Sequence, residues 1–386
     1  MPHAAPVTGS APRRLLVVVT RDFGELGSAV GLLAGLGPGF EGVVLLPPNL
    51  PEPDVAMPGL RWARYTSRAD IERCFDELRA QHVVCLSAYL LLGTAPGLGL
   101  LGIRRLMRHF ARAGARVDTS DPFLTLLRSP WSLRLAPLVR AHLGPTPPGW
   151  RVSLVARALS WRLWALVPML RRCRHLYPVS IEPVQSPAGL RWAHYAATLP
   201  PTPPVQEDLW LFVLARIDHD VLLQEAGPRF VDTVAARLRQ ALDSGARLLL
   251  VAPAALIDAL RGSLGADLLA RCELCETLPL SRYLAALRAA RYAFFWNRYS
   301  FSIAFRVLDG RPVFFLGAGH VERMLPAMVQ AGPRCFYAGW QPPLLAPDQR
   351  LTTEALEAQV RAMHAPMAEA ARGLASGQAA ARLLSG

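Results

Sequence analysis

Apolar residues in this chain come in short unbroken runs, separated by stretches with three- and four-residue spacing. This is the pattern of buried strands joined by amphipathic helices. Strands are predicted at 15–20 (LLVVVT), 43–46, 60–65 and 83–87, with a helix over 69–80 between the last two. A helix over about 101–113 leads into a strand from Arg116 that ends in the polar turn Asp118-Thr119-Ser120-Asp121. Gly37-Pro38 and Pro47-Pro48 punctuate the series. The alternation is that of a doubly wound α/β domain. Residues 197–205, ATLPPTPPV, hold four prolines and read as an extended linker and domain boundary. Beyond it the alternation resumes, with strands at 209–214, 247–252 and 273–277 and helices over 231–242 and 254–264.

The stretch 280–320 carries the most information. A helix with Tyr283, Leu284, Leu287 and Ala290 at helical spacing precedes a buried strand, 292–296, that ends in a polar turn. A second helix opens among Ser300, Phe301 and Ser302 and closes at Asp309-Gly310, and an apolar strand, 312–316, follows with a Gly-rich exit. This order resembles the nucleotide-sugar half of the glycosyltransferase B fold, in which Gly-x-Pro-Val opens that last strand. Here the tetrapeptide is Gly310-Arg311-Pro312-Val313. The resemblance covers about 208–325, and the first domain only by order of elements. It implies two Rossmann-like, doubly wound α/β domains facing a cleft. The acceptor-side domain is expected over 15–200, with a Trp/Arg-rich helical insertion at 129–176, and the nucleotide-sugar domain over 205–340. A helical tail over 351–386 is expected to cross back onto the first domain, and 1–14 to be a disordered lead-in.

Composition narrows the function classes. With 52% hydrophobic and 18% charged residues the chain is not a disordered one. A net charge of +13 would suggest nucleic acid, but all 42 basic residues are Arg, which we read as the residue usage of a GC-rich genome. No nucleic-acid partner is expected. No uncharged apolar stretch of about twenty residues occurs. The six cysteines form no disulfide framework, and the Cys272-x-x-Cys275 pair is read as two core or edge cysteines. A cytoplasmic location is expected, with peripheral attachment at the inner face of a membrane through 154–176, where Arg157, Arg162, Arg171, Arg172 and Arg174 stand among Trp161 and Trp164. Pro168 interrupts that segment, and a domain core or subunit contact is the other reading.

The candidate chemistry lies at strand ends. Helix-initial N–H groups lack internal partners, so the turn before Ser300 suits a diphosphate, with Ser300 and Ser302 as hydroxyl donors and Arg298 as a charge. The resemblance adds Arg216 after the first strand of the second domain, and a loop approaching the donor sugar that holds Gly317, Gly319, His320 and Glu322. Arg216 could equally form an ion pair with Asp218 or Asp220. The ribose carboxylate that the family places five residues before the glycine of Gly-x-Pro-Val is Phe305 here, so Asn297, or stacking on Trp296 or Tyr299, would have to hold the nucleotide. In the first domain, 21–28 reads as a Gly-containing turn, and the resemblance implies that it faces the cleft, with Gly24, Glu25 and Gly27 toward the substrate. Asp22 is the first choice of base, with Asp118 and Asp121 behind it, and helix capping is the other reading of Asp22. Asp218, His219 and Asp220 read as part of an extended segment, and no metal is expected.

The function expected is transfer of a sugar from a nucleotide-activated donor, bound as substrate with no resident cofactor, to an acceptor that is a small molecule, a lipid-linked group or a protein. A non-catalytic scaffold of the same fold and a nucleotide-sugar epimerase are the alternatives.

Overall fold

The computed structural model describes residues 12–20, 23–37, 39–121, 133–143, 147–182 and 189–385. The first domain runs β1 (Arg13–Val18), α1 (Phe23–Leu33), β2 (Phe40–Leu46), β3 (Leu60–Arg64), α2 (Arg68–Leu78), β4 (His82–Cys85), α3 (Leu100–Arg112) and β5 (Arg116–Thr119). It continues through α4 (Ala136–Leu143), α5 (Gly149–Leu170), β6 (Arg174–Tyr177) and β7 (Trp192–His194). Its seven strands pair in parallel in the order β3-β2-β1-β4-β5-β6-β7. Leu15 to Val18 are wholly buried, as a central parallel strand with helices on both faces requires.

The second domain runs β8 (Gln206–Val213), α6 (Arg216–Ala226), α7 (Arg229–Asp243), β9 (Arg247–Val251), α8 (Ala254–Ser263), α9 (Ala266–Leu269) and β10 (Cys272–Cys275). Then come α10 (Leu280–Ala289), β11 (Ala290–Phe295), α11 (Phe301–Leu308), β12 (Val313–Phe315), α12 (Gly319–Met324) and α13 (Pro326–Phe336). The parallel order is β10-β9-β8-β11-β12. Phe212, Phe294 and Phe314 stack across the adjacent strands β8, β11 and β12, at centroid separations of 4.5 and 5.3 Å. Both domains are thus parallel-sheet α/β layers.

The long α14 (Thr353–Ala375) starts at a Thr352 cap and packs on α11. The chain then crosses to the first domain. Gln378 exchanges backbone hydrogen bonds with His194 and Ala196, and Leu383 and Leu384 of α15 (Ala380–Ser385) enter the core on the β1–β2 side. Between the domains, the Phe305 ring lies where a Cβ on Gly31 would be 3.2 Å away, and Ser281 N donates to Asp54 at 2.9 Å.

Two short strands, β6 and β7, were not predicted. Glycines 24 and 27 and Glu25 also differ from expectation: they lie in the first two turns of α1, because Phe23 already begins the helix. Arg216 to Asp220 likewise form the opening of α6 rather than an extended segment.

Candidate functional site

In each sheet the connections leave a central pair in opposite directions, β1 and β4 in the first and β8 and β11 in the second. This opens a crevice beyond the carboxyl ends of that pair, where folds of this kind take ligands. In the second domain the crevice holds Asp218, from the first turn of α6, with no exposed surface. Its Oδ2 accepts from Asn297 Nδ2 at 2.8 Å. Its Oδ1 accepts from the backbone N–H of His320 at 2.6 Å and from His320 Nδ1 at 2.8 Å. A carboxylate only accepts, so Nδ1 carries the proton and Nε2 of the part-exposed His320 ring is left as an acceptor. An Asp that orients a His in this way prepares Nε2 to take, hold or share a proton.

Gly319 makes the cluster possible. Its φ is +75°, and a Cβ there would lie 2.3 Å from Asn297 Cβ and 2.9 Å from Asp218 Oδ1. The remaining oxygen of Asn297, Oδ1, is buried without a hydrogen-bond partner. Gly317 sits against the carbonyl of Trp296, which keeps the loop after β12 close to the end of β11.

Other predicted donor-site residues are committed to the protein itself. Arg298 is buried and makes a forked pair with Glu322, 2.6 Å on each arm, and gives a third bond to the Pro342 carbonyl. Burial works against its charge, but the Glu322 pair outweighs this and holds it above its ordinary pKa. Ser300 caps α11 by accepting from Ile303 N, and Ser302 accepts from the Tyr283 hydroxyl at 2.8 Å. Arg216 is exposed and pairs with Glu276 at 3.3 Å, not with Asp218 or Asp220. Trp296 and Tyr299 are core residues, so neither offers a face for a base to stack on.

In the first domain Glu25 is buried and accepts from the Thr20 backbone N–H at 3.1 Å and from the Thr20 hydroxyl. Asp22 lies outside the described residues. Asp121 is buried just beyond β5, at the carboxyl edge. Asp118 corrects an expectation. Its side chain turns to the opposite, amino-terminal edge and accepts from His82 Nε2 at 2.7 Å and from the Arg174 guanidinium at 3.1 and 2.5 Å. Burial alone would raise its pKa, but these bonds hold it below the usual carboxylate range. A fully enclosed, doubly paired carboxylate is no free base.

Asp218 is not among the candidates read from the sequence, where it stands only as an ion-pair partner of Arg216 and as part of a segment expected to be extended. Its available signal was an acid in the first helical turn after the first strand of the second domain. Among the described residues no three His, Cys, Asp or Glu side chains converge as a metal site. His219 instead pairs with Asp220, at 2.9 Å.

No family model matches the chain, and no curated protein matches it. Among solved structures it resembles CalG4, the calicheamicin glycosyltransferase, at 15% identity and a TM-score of 0.53, over 97% of each chain. It resembles Os79 from O. sativa in complex with UDP at 13% identity and a TM-score of 0.55, over 97% of this chain and 98% of that one. A protein from Listeria monocytogenes provisionally assigned as a UDP-N-acetylglucosamine 2-epimerase matches at 14% identity and a TM-score of 0.54, over 97% and 95%. At these identities the likeness is one of fold. The two parallel-sheet domains, matched over nearly their whole length, give the chain the glycosyltransferase B fold.

Proposed function

We propose that the protein is a glycosyltransferase that moves a sugar from a nucleotide-activated donor to an acceptor hydroxyl without a metal. The observation that carries this reading is the Asp218-His320-Asn297 cluster at the switch point of the second sheet. The UDP held by the neighbour from O. sativa supports a nucleotide as the ligand class. The acceptor oxygen attacks the anomeric carbon, the bond from that carbon to the diphosphate breaks, and the acceptor proton passes to a first-domain carboxylate. Asp22 is our first choice for that base and Asp121 the second. His320, donating through a protonated Nε2, and the Ser300 end of α11 stabilise the charge that gathers on the leaving diphosphate, in place of a metal.

Calorimetric titration with UDP, GDP, dTDP and CMP tests this. One nucleotide should saturate the protein, and His320→Ala should weaken it about tenfold, a plausible loss for one charge-assisted hydrogen bond. If none of the four binds the folded protein, the transferase reading is wrong.

One observation favours a second reading, a non-catalytic partner protein. Phe305 stands where the resemblance implies a ribose carboxylate, and it is buried against α1 of the facing domain. Absence of nucleotide binding would move the assignment there.

We also place the protein in the cytoplasm, against an anionic membrane surface. The outer stripe of α5 exposes Trp150, Leu154, Trp161 and Trp164, interleaved with Arg151, Arg157 and Arg162 and no acid. Sedimentation with lipid vesicles tests that placement.

A further inference from the structure

A cavity of about 600 Å³ opens at the amino-terminal edge of the first sheet, on the side away from the cleft. Its walls are the starts of β5 and β6, the end of α3, the turn after α5 and Arg191 ahead of β7. Five arginines line it, namely Arg108, Arg116, Arg172, Arg174 and Arg191, against the one carboxylate of Asp118. Asp118 is already taken. Arg174 holds both its oxygens, His82 holds Oδ2, and Arg116 Nε approaches Oδ1 only to 3.7 Å. Arg108, Arg172 and Arg191 have no carboxylate partner among the described residues; Arg108 Nε donates only to the Arg104 carbonyl, at 3.2 Å, and Arg191 only to the Arg172 carbonyl, so their charges stay uncompensated. Burial lowers the pKa of Arg116; the Asp118 carboxylate works the other way, and the charges of Arg174 and Arg191 again lower it, so the arginines repel one another.

The surroundings deepen the imbalance. Between residues 78 and 181 the chain carries fifteen arginines and two carboxylates, so its whole net charge of +13 falls in the stretch that supplies most of this cavity. Genome composition explains why the cations are Arg and not Lys. It does not explain why the acids are missing from one segment and balance the bases everywhere else. Met107, Ala111, Val117 and Met169 complete the walls with apolar surface, which strengthens the field inside the concavity. A volume of this size is that of a small-molecule site.

We propose that this cavity binds a phosphate-bearing ligand, with Arg172 and Arg191 as its principal contacts and Arg108 and Arg116 closing around it. Guanidinium forks match phosphoryl oxygens two at a time, and an anion of two or more charges offsets the three unpaired cations. The site is separate from the cleft and does not depend on the transferase reading. The phosphate belongs either to a soluble molecule or to the head group of an acidic lipid.

Calorimetric titration of the full chain with inorganic pyrophosphate tests the site. We expect one saturable equivalent, weakened about tenfold by Arg172→Ala and by Arg191→Ala and only slightly by Arg172→Lys, which keeps the charge. Both positions are exposed, so circular dichroism and melting should confirm unchanged folds. Arg105→Ala, an exposed arginine of the same basic half outside the cavity, should leave binding intact. An equal loss in Arg105→Ala would reveal diffuse surface charge and overturn the proposal. A loss in His320→Ala, with none in the cavity variants, would assign the pyrophosphate to the cleft and overturn it as well. Absence of saturation does the same. Vesicles of phosphatidic acid in phosphatidylcholine separate the two sources: competition with pyrophosphate identifies a lipid head group, and undisturbed binding identifies a soluble phosphate.

Discussion

His175 has no exposed surface. Its Nε2 lies 2.9 Å from the Leu170 carbonyl, and its Nδ1 is buried without a hydrogen-bond partner. Burial pulls its pKa down from 6.5 to about 4. Below pH 6.5 the unfolded chain therefore binds a proton that the folded chain refuses until about pH 4, so stability is full above 6.5 and falls as the pH drops through that window. The loss should reach about 3 kcal/mol from this residue, and His194, lowered for the same reason, adds to it. Urea midpoints measured between pH 7 and pH 4 should show the decline, and His175→Gln should remove the larger part of it. An unchanged slope in that variant would mean the proton is taken up elsewhere. None of this was legible in the sequence, where His175 is one polar residue beside an apolar pair. The same holds for Asp118 and Asp218: both read as acids near strand ends. Only the direction of each side chain separates the one that braces the amino edge from the one that orients His320.

At the scale of elements, α11 is held by an arginine that no sequence pattern singled out. Arg306 is fully buried and donates to the carbonyls of Leu287, Ala290 and Pro312, each at 2.7 Å, and of Arg291 at 3.2 Å. These carbonyls end α10, begin β11 and precede β12, so a single guanidinium ties the helix to both strands that flank it. Desolvation lowers its pKa to about 9. Arg306→Ala should cost about 3–5 kcal/mol by leaving buried acceptors unpaired. Arg306→Met restores the volume but no donor and should recover little of that, as chemical denaturation of the two variants would show. Full recovery by Met would mean that packing, not hydrogen bonding, is the main contribution. The elements themselves were readable because long apolar runs and helical spacing are local properties. The Ser300 cap and the Asp309-Gly310 stop, with Gly310 at φ +65°, behave as their residue types require. Strands β6 and β7 escaped because four and three residues at the far side of a sheet leave too short a pattern to register.

At the scale of the whole molecule, the arginine-rich half of the first domain gives the protein a polarity that its average composition hides. Co-sedimentation should be stronger with vesicles containing phosphatidylglycerol than with phosphatidylcholine alone, because the arginines meet acidic head groups as the indoles enter the interface. Trp150→Ser with Trp161→Ser should lower the partition about tenfold, since each indole buries large apolar area. Equal sedimentation with both lipids would end the membrane placement. The sequence by itself determined the two parallel α/β layers. These follow from hydrophobic period and from turn chemistry, which act between neighbours in the chain. Only the tertiary structure decided which carboxylates are free, because pairing joins side chains far apart in the chain, 102 residues in the case of Asp218 and His320. It alone also placed Phe305 against the opposite domain and gathered five arginines from four segments into one cavity, since distance in space, not order in the chain, sets burial and charge.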